Sequence, residues 1–98
     1  MVHLNLNSDK IAEFCRRRYI VRLSLFGSVL RDDFRPESDV DVLVEFASGH
    51  TPGLEFFAME EELSEILARP VDLNTAAFLS REIREAAVRE AEVQYDAA

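Results

Sequence analysis

The chain has 98 residues, of which 48% are hydrophobic and one is a cysteine, and its formal net charge is −8. Its apolar runs are far shorter than the roughly 20 residues of a membrane-spanning helix, and a single cysteine excludes an internal disulfide framework or a cysteine-rich zinc site. The negative charge argues against nucleic acid as the main partner. Without a signal-peptide pattern, we expect a one-domain protein of the reducing cytoplasm.

The first third of the chain predicts a helix and then a strand. Ser8 is expected to cap a helix over residues 9–18, and a strand follows over residues 19–26. Cys15 is interpreted as a small buried hydrophobe rather than a nucleophile, because it falls at helical spacing with two apolar residues. The helix residues expected to face the core are Ile11, Phe14 and Cys15, and the inward strand residues are Val21, Leu23 and Leu25.

The rest of the chain alternates strands and helices. A turn around Pro36 precedes the second predicted strand. Ser80 is expected to cap the last helix. The predicted elements are a strand at 39–46, a helix from Thr51 through 69, a strand at 70–74, a helix at 79–92 with Ile83, Ala86, Ala87 and Ala91 on its apolar side, and a short strand at 93–95. This order predicts a small α/β (α+β) fold, with a mixed β-sheet that has helices on one face and aspartates on the other.

Two aspartates begin the second predicted strand. Asp39 and Asp41 are two residues apart, so their side chains project from the same face. Adjacent carboxylates repel each other unless a cation lies between them, and all-oxygen ligands suit Mg²⁺ or Mn²⁺. Asp72, on the third predicted strand, turns to the same side as these aspartates. If the two strands are neighbours, three carboxylates meet on one surface.

A Gly-Ser pair ends the first predicted strand. Gly27 allows a ligand to approach the backbone closely, and Ser28 adds a hydroxyl donor at a turn whose free N–H groups favour an anion. A phosphate-binding turn that faces a metal-binding aspartate pair is what phosphoryl or nucleotidyl transfer requires.

The motif Gly27-Ser28, ten intervening residues and Asp39-Val40-Asp41 resembles the signature of the polymerase-β-like nucleotidyltransferases. The surrounding sequence, LFGSVLRDDFRPESDVDVLVEF, looks closest to the minimal nucleotidyltransferases (MNT), many of which are antitoxins paired with HEPN-domain toxins. The resemblance implies a nucleotidyltransferase (polymerase-β palm-like) fold in one domain over residues 1–98.

The resemblance also implies a role for each site residue. Asp39 and Asp41 would bind the metal that carries a nucleoside triphosphate, while the Gly27-Ser28 turn would hold its β- and γ-phosphates. Asp72 would share a second metal and accept the proton of the attacking hydroxyl. Arg31 matches a family arginine that steadies either the aspartates or the phosphates. Asp32 stands where related sequences often have glycine, and it adds negative charge near the triphosphate.

The leading hypothesis is metal-dependent transfer of a nucleoside monophosphate, AMP from ATP, to a hydroxyl group of a partner protein. The resemblance favours a tyrosine of a HEPN-type toxin as the acceptor. With no helical domain after residue 98, the acceptor is expected on another chain. The alternative is an antitoxin that neutralises a HEPN ribonuclease by occlusion, without catalysis. A third hypothesis is that the aspartates hold only a structural metal.

The charge is unevenly distributed. Residues 36–98 contain fifteen acidic and four basic side chains, which indicates either a solvated acidic surface or a flank that attracts a basic protein. The solvent-exposed face of the middle helix is interpreted as Glu60, Glu61, Glu62 and Glu65. His50 is interpreted as a surface residue. Because a helical stripe buries only one of two adjacent aromatics well, Phe57 is expected to remain exposed for a contact.

Overall fold

The computed structural model describes residues 6–31, 34–35 and 37–97. Asp32 and the turn residue Pro36 lie outside the described residues. The elements in chain order are α1 (Ser8–Arg17), β1 (Ile20–Phe26), a 3₁₀ turn (Gly27–Leu30), β2 (Val40–Phe46), α2 (Glu55–Leu67), β3 (Val71–Asn74), a second 3₁₀ turn (Ala76–Phe78), α3 (Arg81–Glu90) and β4 (Glu92–Asp96).

The strands form one four-stranded sheet in the order β3-β2-β1-β4. Strand β1 pairs antiparallel with both β2 and β4, whereas β2 and β3 are parallel. The predicted small mixed sheet is therefore confirmed, and so is its short final strand. The parallel pairing also makes β3 a direct neighbour of β2, which is the condition for the aspartates of the two strands to meet.

Helices α1 and α2 cover one face of the sheet. The helix residues Ile11, Phe14 and Cys15 are buried there, as predicted, against alternate residues of β2. Burial raises the pKa of the Cys15 thiol to about 12, although the neighbouring Arg16 opposes this. The thiol therefore stays protonated at neutral pH, in agreement with its interpretation as a buried hydrophobe rather than a nucleophile.

Helix α3 lies on the opposite face, so the expectation that all helices share one face is corrected. Ala87 packs against Phe26 and Leu43, on the side of the sheet that also carries Asp41. Crossovers between parallel strands are right-handed. Since α2 leads from β2 outward to β3 and α3 leads back across the sheet to β4, the two helices must lie on opposite faces. Ile83, which the sequence placed on the apolar side of this helix, is 54% exposed.

Two local predictions near the N-terminus are also corrected. Asn7, not Ser8, caps α1, because Asn7 has extended backbone and its Oδ1 accepts a hydrogen bond from Lys10 N at 3.1 Å. In β1 a register shift between Ile20 and Arg22 turns Val21 outward, where it is 37% exposed. A bulge of this kind interrupts the two-residue alternation on which the prediction relied.

No helix within the described residues is long and apolar enough to cross a membrane.

Candidate active site

Gly27 brings the turn after β1 into direct contact with Asp41. The last residue of β1, Phe26, pairs with Asp41 across the antiparallel ladder. Gly27 has φ +76°, and a Cβ built there would overlap the Oδ2 atom of Asp41. Both the left-handed backbone and the lack of space therefore require glycine at this position. The sequence predicted the approach of a ligand to this backbone; the structure shows a carboxylate beside it, and the ligand contact stays a prediction.

The turn itself is short. Residues Gly27–Leu30 form a single 3₁₀ turn, in which Arg31 N donates a hydrogen bond to Ser28 O at 2.9 Å. Ser28 is partly exposed, beside the glycine that contacts Asp41. Its position is compatible with a phosphate contact, and that role stays a prediction.

Three carboxylates meet where β1, β2 and β3 adjoin. Asp41 on β2 is the register partner of Asp72 on β3, and neighbouring strands lie about 4.8 Å apart. Asp39 lies one residue before β2. Asp41 is half-buried, while Asp39 and Asp72 are exposed. The condition set by the sequence is thus met, because the third strand neighbours the second and Asp72 shares the face of Asp41.

The surroundings of Asp41 disfavour the ionised form of its carboxyl group. Partial burial raises the pKa of Asp41, and the negative charges of Asp72 and then Asp39 raise it further. Arg31 acts in the opposite direction. Two roles were left open for Arg31, at the aspartates or at the phosphates. Its effect on the pKa of Asp41 supports the first of them. The three carboxylates together present an excess of negative charge that a cation would relieve.

The donor set fits an ion that arrives with its substrate. Among residues 6–31, 34–35 and 37–97, no group of three or more His, Cys, Asp or Glu side chains is arranged to hold a metal ion by itself. Mg²⁺ is usually held by one or two carboxylates together with substrate phosphates. The surface around Asp41 matches that arrangement, and the metal roles of Asp39, Asp41 and Asp72 stay predictions.

Two glutamates of α2 that the sequence assigned to a solvent-exposed face make specific contacts instead. Glu60 Oε2 accepts a hydrogen bond from Leu73 N at 2.8 Å. Glu62 joins α2 to α1 through its two carboxylate oxygens, which lie 2.6 Å from Arg17 Nη2 and 2.9 Å from Arg18 Nη2. A run of glutamates carries no sequence signal for these pairings, because the partners are distant in the chain.

His50 is exposed, as expected, and it has an aromatic neighbour. Its ring stacks on that of Tyr19, with centroids 4.0 Å apart and an angle of 13° between the planes. Tyr19 precedes β1 and His50 follows β2, so the pair lies at the end of these strands away from Gly27 and Asp41. The stacked pair is therefore separate from the carboxylate site.

A family model and a curated relative agree on the family to which this chain is similar. The model of the nucleotidyltransferase domain family matches residues 8–94. A relative called protein adenylyltransferase MntA, from Thermococcus cleftensis, is 38% identical over 77 residues, which cover 76% of this chain and 76% of the relative.

Two solved structures share the fold. A toxin–antitoxin crystal structure with AMP-PNP matches with a TM-score of 0.75 and 22% identity, over 93% of this chain and 74% of that chain. A tri-AMPylated Shewanella oneidensis HEPN toxin in complex with MNT antitoxin matches with a TM-score of 0.66 and 21% identity, over 91% and 69% of the two chains. At these identities the likeness concerns the fold alone.

Proposed function

The chain belongs to the nucleotidyltransferase domain family and is a nucleotidyltransferase, and from this premise we propose that it transfers AMP from ATP to a hydroxyl group of a HEPN-type toxin. In this proposal the chain is the antitoxin of the pair. The relative's name supports adenylyl transfer to protein. The AMP-PNP complex and the AMPylated toxin among the structures of the same fold support ATP and the partner.

One observation carries the proposal. The backbone at Gly27 lies against the carboxylate of Asp41, and Asp72 is the register partner of Asp41. A triphosphate bound along the turn would therefore have its phosphates beside the carboxylates, at one corner of the sheet.

The chemistry assigns each residue a task. The acceptor hydroxyl oxygen forms a bond to the α-phosphorus of ATP, the bond from that phosphorus to the bridging oxygen breaks, and pyrophosphate leaves with the electron pair. The Asp72 carboxylate accepts the hydroxyl proton. The turn at Gly27 and Ser28 holds the β- and γ-phosphates in line with the attacking oxygen.

Asp39, Asp41 and Asp72 would hold Mg²⁺ or Mn²⁺, which when bound supplies positive charge to the triphosphate and lowers the pKa of the attacking hydroxyl. Arg31 contributes a fixed positive charge beside Asp41. The exposed positions of Asp39 and Asp72 leave room for both a nucleotide and a protein acceptor.

The test is a mass measurement on the partner. We expect incubation of the chain with ATP, Mg²⁺ and its HEPN-type toxin partner to add one or more AMP units to that partner, as seen by intact-mass spectrometry. Asp72→Asn should abolish the adduct while leaving the complex intact. Neutralisation of the toxin without any mass change, equally by wild type and by Asp72→Asn, would contradict adenylyl transfer and leave neutralisation by occlusion.

An exposed apolar pair favours stable binding in addition to catalysis. Leu54 is 85% exposed and Phe57 is 67% exposed, and they lie one turn apart at the start of α2. Helix α2 covers the sheet face opposite to Asp41, so a partner could remain bound here without closing the site. Phe57→Asp should weaken the complex but not ATP binding. Val88→Asp, at a similarly exposed apolar residue of α3, is the matched control.

A further inference from the structure

The strand that carries Asp72 is short and lies at an edge of the sheet. Strand β3 spans four residues, and within the part of the chain that the structure describes its one strand neighbour is β2. Edge strands present N–H and C=O groups that no further strand pairs. Without additional support, such a strand would hold a reacting carboxylate less rigidly than a central strand does.

Two side chains of α2 supply that support, on either side of Asp72. Val71 N donates a hydrogen bond to Ser64 Oγ at 3.1 Å, and Leu73 N donates one to Glu60 Oε2 at 2.8 Å. The amides that flank Asp72 are thus bound by a helix in place of a strand. The Asp72 carbonyl also accepts a hydrogen bond from Asn74 Nδ2 at 3.0 Å.

The spacing of the two side chains explains how one helix binds two alternate amides. Glu60 and Ser64 are four residues apart, so they lie on the same face of α2. The Ser64 hydroxyl donates its hydrogen to Glu60 O at 2.8 Å, which leaves its lone pairs free to accept from Val71 N. Helix α2 is anchored beneath by its buried residues, Met59 and Leu63, so both acceptors are held by the core.

Resting on the proposed function, we infer that Glu60 is a positioning residue for Asp72, and that Ser64 assists it. The pair of hydrogen bonds fixes the backbone on both sides of the proton acceptor, and so sets the distance from the carboxylate to the attacking hydroxyl. The Glu60 carboxylate accepts a hydrogen bond from a backbone amide of β3. Its effect is exerted through β3.

The inference predicts a loss of rate without a loss of nucleotide binding. Removing a support that holds a catalytic group in place to within 1 Å costs up to about 100-fold, so Glu60→Ala should lower kcat for AMP transfer by about 10- to 100-fold. The KM for ATP should stay unchanged, since the turn at Gly27 and Ser28 lies on the opposite side of Asp41. Glu60→Gln retains a carbonyl oxygen that accepts from Leu73 N and should restore most of the rate.

Two further variants separate positioning from general destabilisation. Glu61→Ala removes an exposed neighbouring carboxylate of the same helix and should keep the wild-type kcat. Ser64→Ala removes the second flanking hydrogen bond, should lower kcat in the same direction, and serves if Glu60→Ala does not fold. In NMR hydrogen exchange, the Leu73 amide should exchange faster in Glu60→Ala than in Glu61→Ala.

The outcomes distinguish this inference from the function on which it rests. Active wild type with an unchanged kcat in folded Glu60→Ala, or a loss that Glu60→Gln fails to restore, overturns the positioning role and leaves the function intact. A wild-type chain that transfers no AMP overturns the function itself, whatever the exchange rate of the Leu73 amide. A kcat loss with unchanged KM and rescue by glutamine supports both.

Discussion

Two acidic sites in this chain have opposite electrostatic surroundings. Glu62 is partly buried, which by itself raises its pKa, but hydrogen bonds and charges from Arg17 and Arg18 outweigh burial and lower the pKa overall. Partial burial raises the pKa of Asp41, and the negative charges of Asp72 and Asp39 raise it further, whereas Arg31 opposes the rise. Both carboxylates lie where two elements of secondary structure meet. The negative charge of Glu62 is neutralised by two arginines, whereas the negative charge around Asp41 is in excess.

We propose that this difference separates a structural carboxylate, Glu62, from a functional one, Asp41. The Glu62 site is complete, since it stabilises the packing of α1 on α2 with charges that the chain supplies. The Asp41 site is incomplete, since it concentrates negative charge next to the turn that we propose binds phosphate. Perturbed carboxylates in a cluster whose negative charge exceeds the positive charge beside it are typical of sites that bind a charged ligand.

The largest effect is expected from neutralising the aspartates. Asp39→Asn combined with Asp41→Asn should lower AMP transfer by more than about 100-fold and abolish thermal stabilisation by ATP with Mg²⁺. The unliganded variant should be as stable as wild type or more stable. Because the pKa of Asp41 is raised in the folded state, its ionisation costs stability at pH values above that pKa, and asparagine removes this cost.

Differential scanning fluorimetry with and without ATP and Mg²⁺ measures both effects. Glu61→Gln, which removes an exposed charge from α2, is the control for a simple change in net charge. Full stabilisation of the double variant by nucleotide would show that the aspartates do not take part in binding.

A pair of glycine variants tests the contact between the turn and Asp41. Gly27 and Gly49 both have positive φ, +76° and +80°, but a Cβ at Gly49 would have no neighbour within 4 Å. Gly49→Ala should therefore cost about 1–2 kcal/mol of unfolding free energy from backbone strain alone. Gly27→Ala should cost more, because its Cβ also displaces Asp41, and it alone should lose ATP binding.

Urea unfolding and calorimetric titration with ATP compare the two glycine variants directly. Equal losses of stability, with ATP affinity retained in both, would mean that the approach of Gly27 to Asp41 has no role in the site.

The smallest effect is expected at the neutralised site. Glu62→Gln should lower the free energy of unfolding by about 1 kcal/mol at neutral pH, since the ion pairs are partly exposed, and should leave AMP transfer unchanged. The pKa of Glu62 is lowered on folding, so its contribution is present above its unfolded pKa and is lost as pH falls through its folded pKa. The stability difference between variant and wild type should therefore shrink below about pH 4.

Chemical denaturation at several pH values measures this dependence, and Glu65→Gln on the same helix is the control. A difference that is constant from pH 7 to pH 3 would contradict the ion-pair account of Glu62.

The sequence predicted the strands and the carboxylate cluster because their signals are local. The two-residue period of a strand predicts that Asp39 and Asp41 project together, and the structure places Asp39 one residue before β2 and Asp41 within it. The register that pairs Asp41 with Asp72 is tertiary structure, which a local pattern does not contain. The prediction that these carboxylates meet depended on one assumption, that β2 and β3 are neighbours.

Contacts between distant residues were beyond prediction from pattern alone. Glu60 and Glu62 lie in one acidic run, yet one binds a backbone amide and the other two arginines. The face on which α3 lies depends on strand order, which the sequence does not state. Once the order β3-β2-β1-β4 is known, the right-handed crossover determines that face.

The central claim is that the turn at Gly27 and the carboxylates around Asp41 form one nucleotide site. A crystal structure of the chain with AMP-PNP and Mg²⁺ tests it most directly. We predict density for the triphosphate along Gly27 and Ser28, with a cation between its phosphates and the carboxylates of Asp39 and Asp41. Nucleotide density at any other surface, with the Asp41 corner holding neither phosphate nor cation, would contradict the account.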